Sequence, residues 1–120
     1  MIDTFISFYM KASRVRVSVK CLREIGKPER VCFMISDGGD KLLLAPHKRK
    51  DFISHKVPKE VYAGTVGLEV CSKKLCLLIA RMYNWNTDCS YRIPGKAYGN
   101  QSVAIFDLKD AKVIKQNIYF

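Results

Sequence analysis

The sequence predicts an α+β protein made of two βαββ-like halves, because three local patterns stand out along the chain. Apolar and polar residues alternate strictly over residues 14–21, which is typical of a strand with one buried face. A glycine-containing turn at 37–40 separates two apolar runs, as in a β-hairpin. The strongest helical periodicity, over residues 72–85, precedes two further apolar runs. The predicted units are half-repeats at about 13–45 and 69–108 and a basic connector at 46–67, all within one compact domain, 1–120.

The first half opens with the strand at 14–21, whose solvated face is positively charged. Residues 21–26 are predicted to form one or two helical turns, because Gly26 is a typical C-cap and Pro28 cannot continue the helix. The acidic turn at 37–40 needs the positive φ angles that its two glycines supply. The strands predicted on either side of this turn are 30–36 and 41–45.

The second half is predicted to repeat this order after a connecting loop with room for a short strand or turn. A strand over 67–71 leads into the helix at 72–85, for which Ser72 is a natural N-cap. The apolar face of this helix is predicted to comprise Leu75, Leu78, Ile79 and Met82. The strands predicted after it are 90–93 and 102–108, with a last strand or strap over 113–120.

The chain is strongly basic, with 21 Lys and Arg residues against 11 Asp and Glu and a net charge of +10. The excess is spread through the fold, since residues 1–60 hold 13 basic and 7 acidic residues and residues 61–120 hold 8 and 4. Such a field attracts polyanions and speeds their encounter with the protein, although solubility alone is an alternative explanation. The hydrophobic fraction of 48% is enough for a packed core, so disorder is not expected.

The cysteines and histidines indicate neither a metal centre nor a catalytic site. The five cysteines are odd in number and match no disulfide framework, which favours reduced thiols and a cytoplasmic location. Cys71 and Cys76 are the closest pair, and their spacing is not that of a zinc site. The two histidines, His47 and His55, lie in the basic connector, and no phosphate-binding glycine loop is present. The sequence therefore predicts a protein that is not an enzyme and has no metal or cofactor.

The apolar residues at 1–10 are too few to span a bilayer, and no other stretch approaches the necessary length, so no membrane partner is expected. Met1 and Met10 are both candidates for the first residue of the natural protein. A start at Met1 makes residues 1–9 part of the fold, and a start at Met10 means that they are not part of the natural protein.

Two groups of basic residues are candidates for polyanion contacts. Arg14, Arg16 and Lys20 would protrude from one strand face, with the first two about 7 Å apart. An arginine fork can contact a phosphate or a guanine edge with two hydrogen bonds. The alternative is that these charges only keep an exposed strand soluble. The second group lies in the connector, as either a phosphate-contacting loop or a solvated linker, and comprises Lys48, Arg49 and Lys50.

Aromatic residues of the second half are candidate platforms for base stacking. They are Tyr83, Trp85, Tyr91 and Tyr98. Trp85 follows the apolar positions of the predicted helix and is therefore interpreted as an edge of the core rather than as a stacking residue.

The pattern of residues 13–45 resembles the swapped-hairpin DNA-binding domain of AbrB-type transition-state regulators and MazE-type antitoxins. The resemblance rests on the basic–apolar strand over 13–19, the helix end Ile25-Gly26, and two strands around the acidic turn. It implies that the two halves pack as a pseudo-dimeric, swapped-hairpin-like barrel. It also implies that Arg14 and Arg23 lie at positions that contact DNA.

The predicted function is DNA binding by a small bacterial or phage transcription regulator that uses basic strand faces. The predicted contact residues are Arg14, Arg16, Lys20, Arg23, Lys48, Arg49 and Lys50. One alternative is an antitoxin-like or mobile-element module that binds an acidic protein partner, and another is a small nuclease or hydrolase. RNA is an alternative ligand to DNA, and a homodimer is an alternative to a monomer.

Overall fold

The structure is a computed structural model that describes residues 4–51 and 53–114. Within these ranges the chain forms nine strands and three α-helices. The strands are β1 (Phe5–Tyr9), β2 (Arg14–Val17), β3 (Arg30–Ile35), β4 (Lys41–Pro46), β5 (Ser54–Lys56), β6 (Leu68–Cys71), β7 (Ser90–Tyr98), β8 (Val103–Asp107) and β9 (Lys112–Ile114). The helices are α1 (Val19–Glu24), α2 (Lys59–Ala63) and α3 (Lys73–Tyr83).

The nine strands form one antiparallel sheet that curls into a nearly closed barrel, so the mixed α and β character predicted from the sequence is confirmed. The order of the strands is β5-β3-β4-β8-β7-β1-β2-β6, and β9 pairs with the first part of β7. Strand β7 is long enough to pair with β1 through residues 90–94 and with β8 through residues 95–98.

Several predicted elements are confirmed, and each depends on local signals. Strands β3 and β4 form a hairpin whose turn places Gly39 at a φ of 73°. Helix α1 ends at Glu24, and Gly26 follows its C-cap residue Ile25 with a φ of 102°. Helix α3 begins after Ser72, whose hydroxyl accepts a hydrogen bond from the Leu75 N–H at 3.3 Å.

The strand predicted over residues 14–21 is too long, because β2 ends at Val17. Ser18 turns the chain into α1, and its hydroxyl accepts a hydrogen bond from the Phe5 N–H at 3.2 Å. Lys20 consequently lies on α1, so the prediction that it shares a strand face with Arg14 and Arg16 is wrong. The contact that ends β2 therefore comes from β1, because Phe5 lies thirteen residues before Ser18 in the sequence.

The connector contains β5, in agreement with the short strand or turn allowed by the sequence, and in addition the helix α2, which was not predicted. The predicted final strand over 113–120 begins one residue earlier, as β9, and its part from 115 onward lies outside the described residues. Residues 5–9, which the sequence left as either leader or fold, form β1 between β2 and β7.

The predicted apolar face of α3 is only partly correct. Ile79 is fully buried, whereas Leu78 is 46% exposed and Met82 is 40% exposed. Cys76 and Ala80 are buried beside Ile79 instead. Residues 75–80 are all apolar, so helical periodicity alone could not distinguish the stripe that faces the core from its neighbour.

The core lies inside the barrel and is filled by alternate residues of its strands. Trp85 packs at its edge, stacked on Tyr91 with ring centroids 4.2 Å apart and edge-on to Phe8 at 5.6 Å, as the sequence predicted. The largest fully buried side chains are Phe8, Phe106, Ile6, Leu22, Ile25, Leu42, Leu44, Ile79, Ile93 and Leu108, followed by Val15 and Val17.

The five thiols are free in the structure and differ in accessibility. Burial raises the pKa of Cys21 to about 12 and that of Cys76 to about 11, whereas Cys71 is exposed. We expect a thiol reagent at about pH 8 to modify Cys71 first in the native protein and to leave Cys21 and Cys76 unreacted, because the thiolate is the nucleophile. Cys71→Ser should remove the first reaction phase. Denatured, unreduced protein should titrate five thiols, and a count of three would contradict this expectation.

Candidate nucleic-acid interface

The barrel carries a row of polar residues across the outside of five neighbouring strands. Val15 and Val17 point into the core, so Arg16 between them points outward. The strand registers place Arg16 opposite Glu69 of β6 and Ser7 of β1, and Ser7 opposite Arg92 of β7. Residues directly opposite one another share a face of the sheet. In spatial order the row is Glu69, Arg16, Ser7, Arg92 and Lys112.

A second row lies two residues further along the same strands. It places Arg14 of β2 opposite Tyr9 of β1, and Tyr9 opposite Ser90 of β7. The turn between β1 and β2 adds Lys11, which is exposed. A shallow depression of about 490 Å³ lies here, lined by Tyr9, Lys11, Ala12, Arg14, Arg16, Glu69 and Ser90. We call the five cations of this surface, Lys11, Arg14, Arg16, Arg92 and Lys112, the basic face.

Two arginines of the basic face are held against aromatic rings. The Arg16 guanidinium carbon lies 5.3 Å from the centre of the Tyr9 ring, and that of Arg92 lies 4.3 Å from the centre of the Phe5 ring. Arg92 also donates from Nε to the Ser7 hydroxyl at 3.2 Å. These contacts restrict the conformations of the two long side chains.

Glu69 is the acidic residue at the end of this row. It accepts hydrogen bonds from Nε of Arg16, at 3.1 Å, and from Nη2 of the same side chain, and Arg14 Nη1 lies 3.9 Å from its other oxygen. The hydrogen bonds from Arg16 lower the pKa of Glu69 and raise the pKa of Arg16. Glu69 therefore stays ionised and acts as the counterion of Arg14 and Arg16.

The other predicted contact residues lie on different elements. Lys20 is exposed on α1, where its Nζ lies 3.8 Å from Glu24 Oε1. Arg23, also on α1, donates to the Tyr62 carbonyl at 2.6 Å and so links α1 to the end of α2. Three exposed residues of the loop between β4 and β5 are Lys48, Arg49 and Lys50. The structure thus brings together Arg14 and Arg16 but not the remaining five.

Sequence reasoning missed most of the partners of these two arginines. Arg92 lies in the predicted strand 90–93 between buried Tyr91 and Ile93, so its outward direction was readable from the alternation. Nothing local shows that β7 lies beside β1, because the paired residues Ser7 and Arg92 are 85 positions apart. Phe5 meets Arg92 through this pairing, whereas Lys112 joins the surface through the pairing of β9 with β7. Tyr9 joins it through the local pairing of β1 with β2.

The described residues contain no cluster of three or more His, Cys, Asp or Glu side chains that could hold a metal ion. His47 contacts Asp51 at 2.9 Å within its own loop, and His55 packs edge-on to Phe33 at 5.5 Å. In the same part of the chain, none of the helices combines the length and apolar character needed to cross a membrane.

No protein-family model, curated protein or solved structure matches this chain.

Proposed function

We propose that the protein is a non-enzymatic, cytoplasmic nucleic-acid-binding protein, and that it acts as a DNA-binding regulator through its basic face. The observation that carries this proposal is the presence of five cations on adjacent strands and the β1–β2 turn, with Glu69 as the acidic residue among them. A ligand with regularly spaced negative charges can contact several of these cations at once, whereas a small anion cannot.

The spacing of the cations suits a phosphate backbone. Arg14 and Arg16 are two residues apart on one strand, which corresponds to about 7 Å. Arg16 and Arg92 are separated by one strand, which corresponds to about 10 Å across the sheet. Each displaced counterion adds to affinity at low salt, and the planar guanidinium groups can also contact base edges.

The pairing of the strands supports the companion proposal of a pseudo-dimeric, swapped-hairpin-like barrel. The two predicted halves contain β2-α1-β3-β4 and β6-α3-β7-β8, so their element orders are the same. Elements at equivalent positions pair with each other, β2 with β6 and β4 with β8. An approximate twofold relation between the halves explains both pairings.

The test of the basic face is the salt dependence of binding to short duplex DNA, single-stranded DNA and RNA of one sequence, measured by fluorescence anisotropy. Replacing Arg14 and Arg16 together by Ala should weaken binding about tenfold or more and reduce the slope of log K against log salt by up to about 2. The control is the triple variant of Lys48, Arg49 and Lys50 to Ala, which removes three charges from the loop between β4 and β5, outside the basic face, and should weaken binding less. Equal binding by wild type and the double variant would contradict the proposal.

Glu69→Gln provides a variant with the opposite expected effect. It removes the charge that competes with phosphate for Arg14 and Arg16, so nucleic-acid binding should tighten. If the two arginines serve only to join β2 to β6, this substitution will instead lower the melting temperature and leave binding unchanged.

Plasmid DNA incubated with the protein and Mg²⁺ should stay intact, since the proposed function includes no cleavage.

A protein-interaction module is the second candidate function. It is favoured by exposed apolar side chains that are grouped outside the basic face, among them Leu78 at 46% and Ile53 at 52% exposure. If neither wild type nor variants bind nucleic acid at low salt, this candidate replaces the first.

A further inference from the structure

Among the described residues, the barrel is open between β5 and β6, which are the two ends of the strand order. Within the described residues β5 pairs with β3 alone and β6 pairs with β2 alone. A groove of about 500 Å³ lies between the two edges. One side is formed by Phe33, Ile35, Ile53 and His55, and the other by Cys71, Ser72, Lys73, Lys74, Leu75 and Leu78.

The free edge of β6 directs backbone hydrogen-bonding groups toward this gap. The Ser72 N–H donates to the Ser13 carbonyl at 3.0 Å, so Ser13 and Ser72 lie at a hydrogen-bonded position of the β2–β6 ladder. In an antiparallel ladder such pairs alternate with pairs that are not hydrogen-bonded to each other. The N–H and C=O groups of Glu69 and Cys71 therefore point away from β2.

The free edge of β5 has the same property over a shorter length. The Val57 N–H donates to the Glu29 carbonyl at 2.8 Å, which fixes the hydrogen-bonded pairs between β3 and β5. By the same alternation, the backbone groups of Lys56 point away from β3. Unpaired edges of this kind are templates for another strand.

The side chains around the gap indicate what kind of strand fits. Phe33, Ile35 and Leu75 are partly buried at its base, and Leu78 and Ile53 are exposed at its rim. Lys73 and Lys74 are exposed on the first turn of α3, and no ion pair holds either of them in the part of the chain that the structure describes. A strand with apolar side chains on one face and acidic side chains on the other would satisfy both features.

We propose that this groove binds an extended acidic segment of a partner protein, which adds as a strand along the edge of β6. Main-chain hydrogen bonds to Glu69 and Cys71 supply affinity, and alternate apolar side chains of the segment contact Phe33, Ile35 and Leu78. Its acidic side chains lie near Lys73 and Lys74. This site is separate from the basic face and does not depend on nucleic-acid binding.

The binding test uses a fluorescein-labelled peptide, Glu-Val-Glu-Ile-Glu-Val-Glu, titrated with the full chain. Binding with a Kd below about 1 mM is expected, and no binding at that concentration would overturn the proposal. Because the chain carries a net charge of +10, a control peptide of identical charge with N-methylated alternate amides separates strand addition from electrostatic attraction. Equal affinity for the two peptides would also overturn it.

The location is tested with two leucines of α3 that are similarly exposed. Leu78 lines the groove, whereas Leu77, 38% exposed, does not. Leu78→Asp should weaken peptide binding about tenfold or more, since it removes an apolar contact and adds a like charge, and Leu77→Asp should change it less than about twofold. Equal effects would contradict this location. The free chain could instead self-associate through the groove. If it does, and if Leu78→Asp abolishes the self-association, the proposal is overturned and the occupant is a second copy of this chain.

Discussion

Replacement of Gly67 by Ala is expected to lower the free energy of unfolding by at least about 3 kcal/mol. Gly67 has a φ of 97°, a conformation that L-residues with a side chain rarely adopt. A Cβ atom built there would lie 2.2 Å from the Val17 carbonyl oxygen. That oxygen belongs to the last residue of β2, which pairs with Leu68 of β6, so it cannot move without opening the ladder.

Gly64→Ala is the matched control, three residues earlier in the same connector. Its φ is −111°, and the nearest atom to an added Cβ is the Glu60 carbonyl oxygen at an ordinary 3.6 Å. We expect a change within about 0.5 kcal/mol, with slight stabilisation because alanine restricts the unfolded chain. Urea denaturation followed by circular dichroism measures both variants. Equal losses would show that the close approach of Gly67 to β2 does not limit stability.

The parts of the fold that could be predicted from the sequence are those determined over a few residues. The alternation around Val15 predicts a strand, the glycine-containing turn at Gly39 predicts a hairpin, and Ser72 predicts the start of a helix. Each of these signals lies within a few residues. The end of β2 could not be predicted, because Ser18 leaves the strand to accept a hydrogen bond from Phe5 on another strand. The face of α3 that packs on the core could not be predicted either. Leu78 and Ile79 are both apolar, and only packing in the folded structure leaves the first exposed and the second buried.

The candidate site was half predictable for the same reason. Arg14 and Arg16 follow from the period of their own strand. Arg92 and Lys112 belong to the basic face only because β7 lies beside β1 and β9 lies beside β7, and the sequence gives no local sign of that order. Glu69 is a comparable case, since its acidic charge reaches Arg16 through the pairing of β6 with β2. Long-range strand order therefore determines both the extent of the basic face and its internal counterion.

Strand β6 connects the two proposed surfaces. One edge of β6 pairs with β2 and brings Glu69 to the basic face, and the other edge borders the groove beside α3. The two surfaces can be tested separately, because their variants lie on different elements. Arg14 and Arg16 belong to β2, whereas Leu78 belongs to α3. Two independent sites would be demonstrated if the Arg14 and Arg16 variant lost only nucleic-acid binding and the Leu78 variant lost only peptide binding.

A chain that starts at Met10 is expected not to fold cooperatively, because it lacks β1. This strand supplies Ile6 and Phe8, both with no exposed surface, and it joins β7 to β2 through nine residue pairs, five with β7 and four with β2. Loss of two such core side chains costs on the order of 5–10 kcal/mol, which is comparable to the whole stability of a typical domain. The truncated chain should show reduced strand signal by circular dichroism and no sigmoidal urea transition.

The control for this truncation is a synthetic peptide of residues 1–9 added to the chain that starts at Met10. Because β1 pairs on both of its sides, the peptide can restore both ladders and the buried positions of Ile6 and Phe8, and the structured signal should return as it is titrated. A scrambled peptide of the same composition should have no effect, since its apolar residues no longer alternate in register with β2 and β7. Cooperative unfolding of the truncated chain at the full-length midpoint would show that β1 is dispensable.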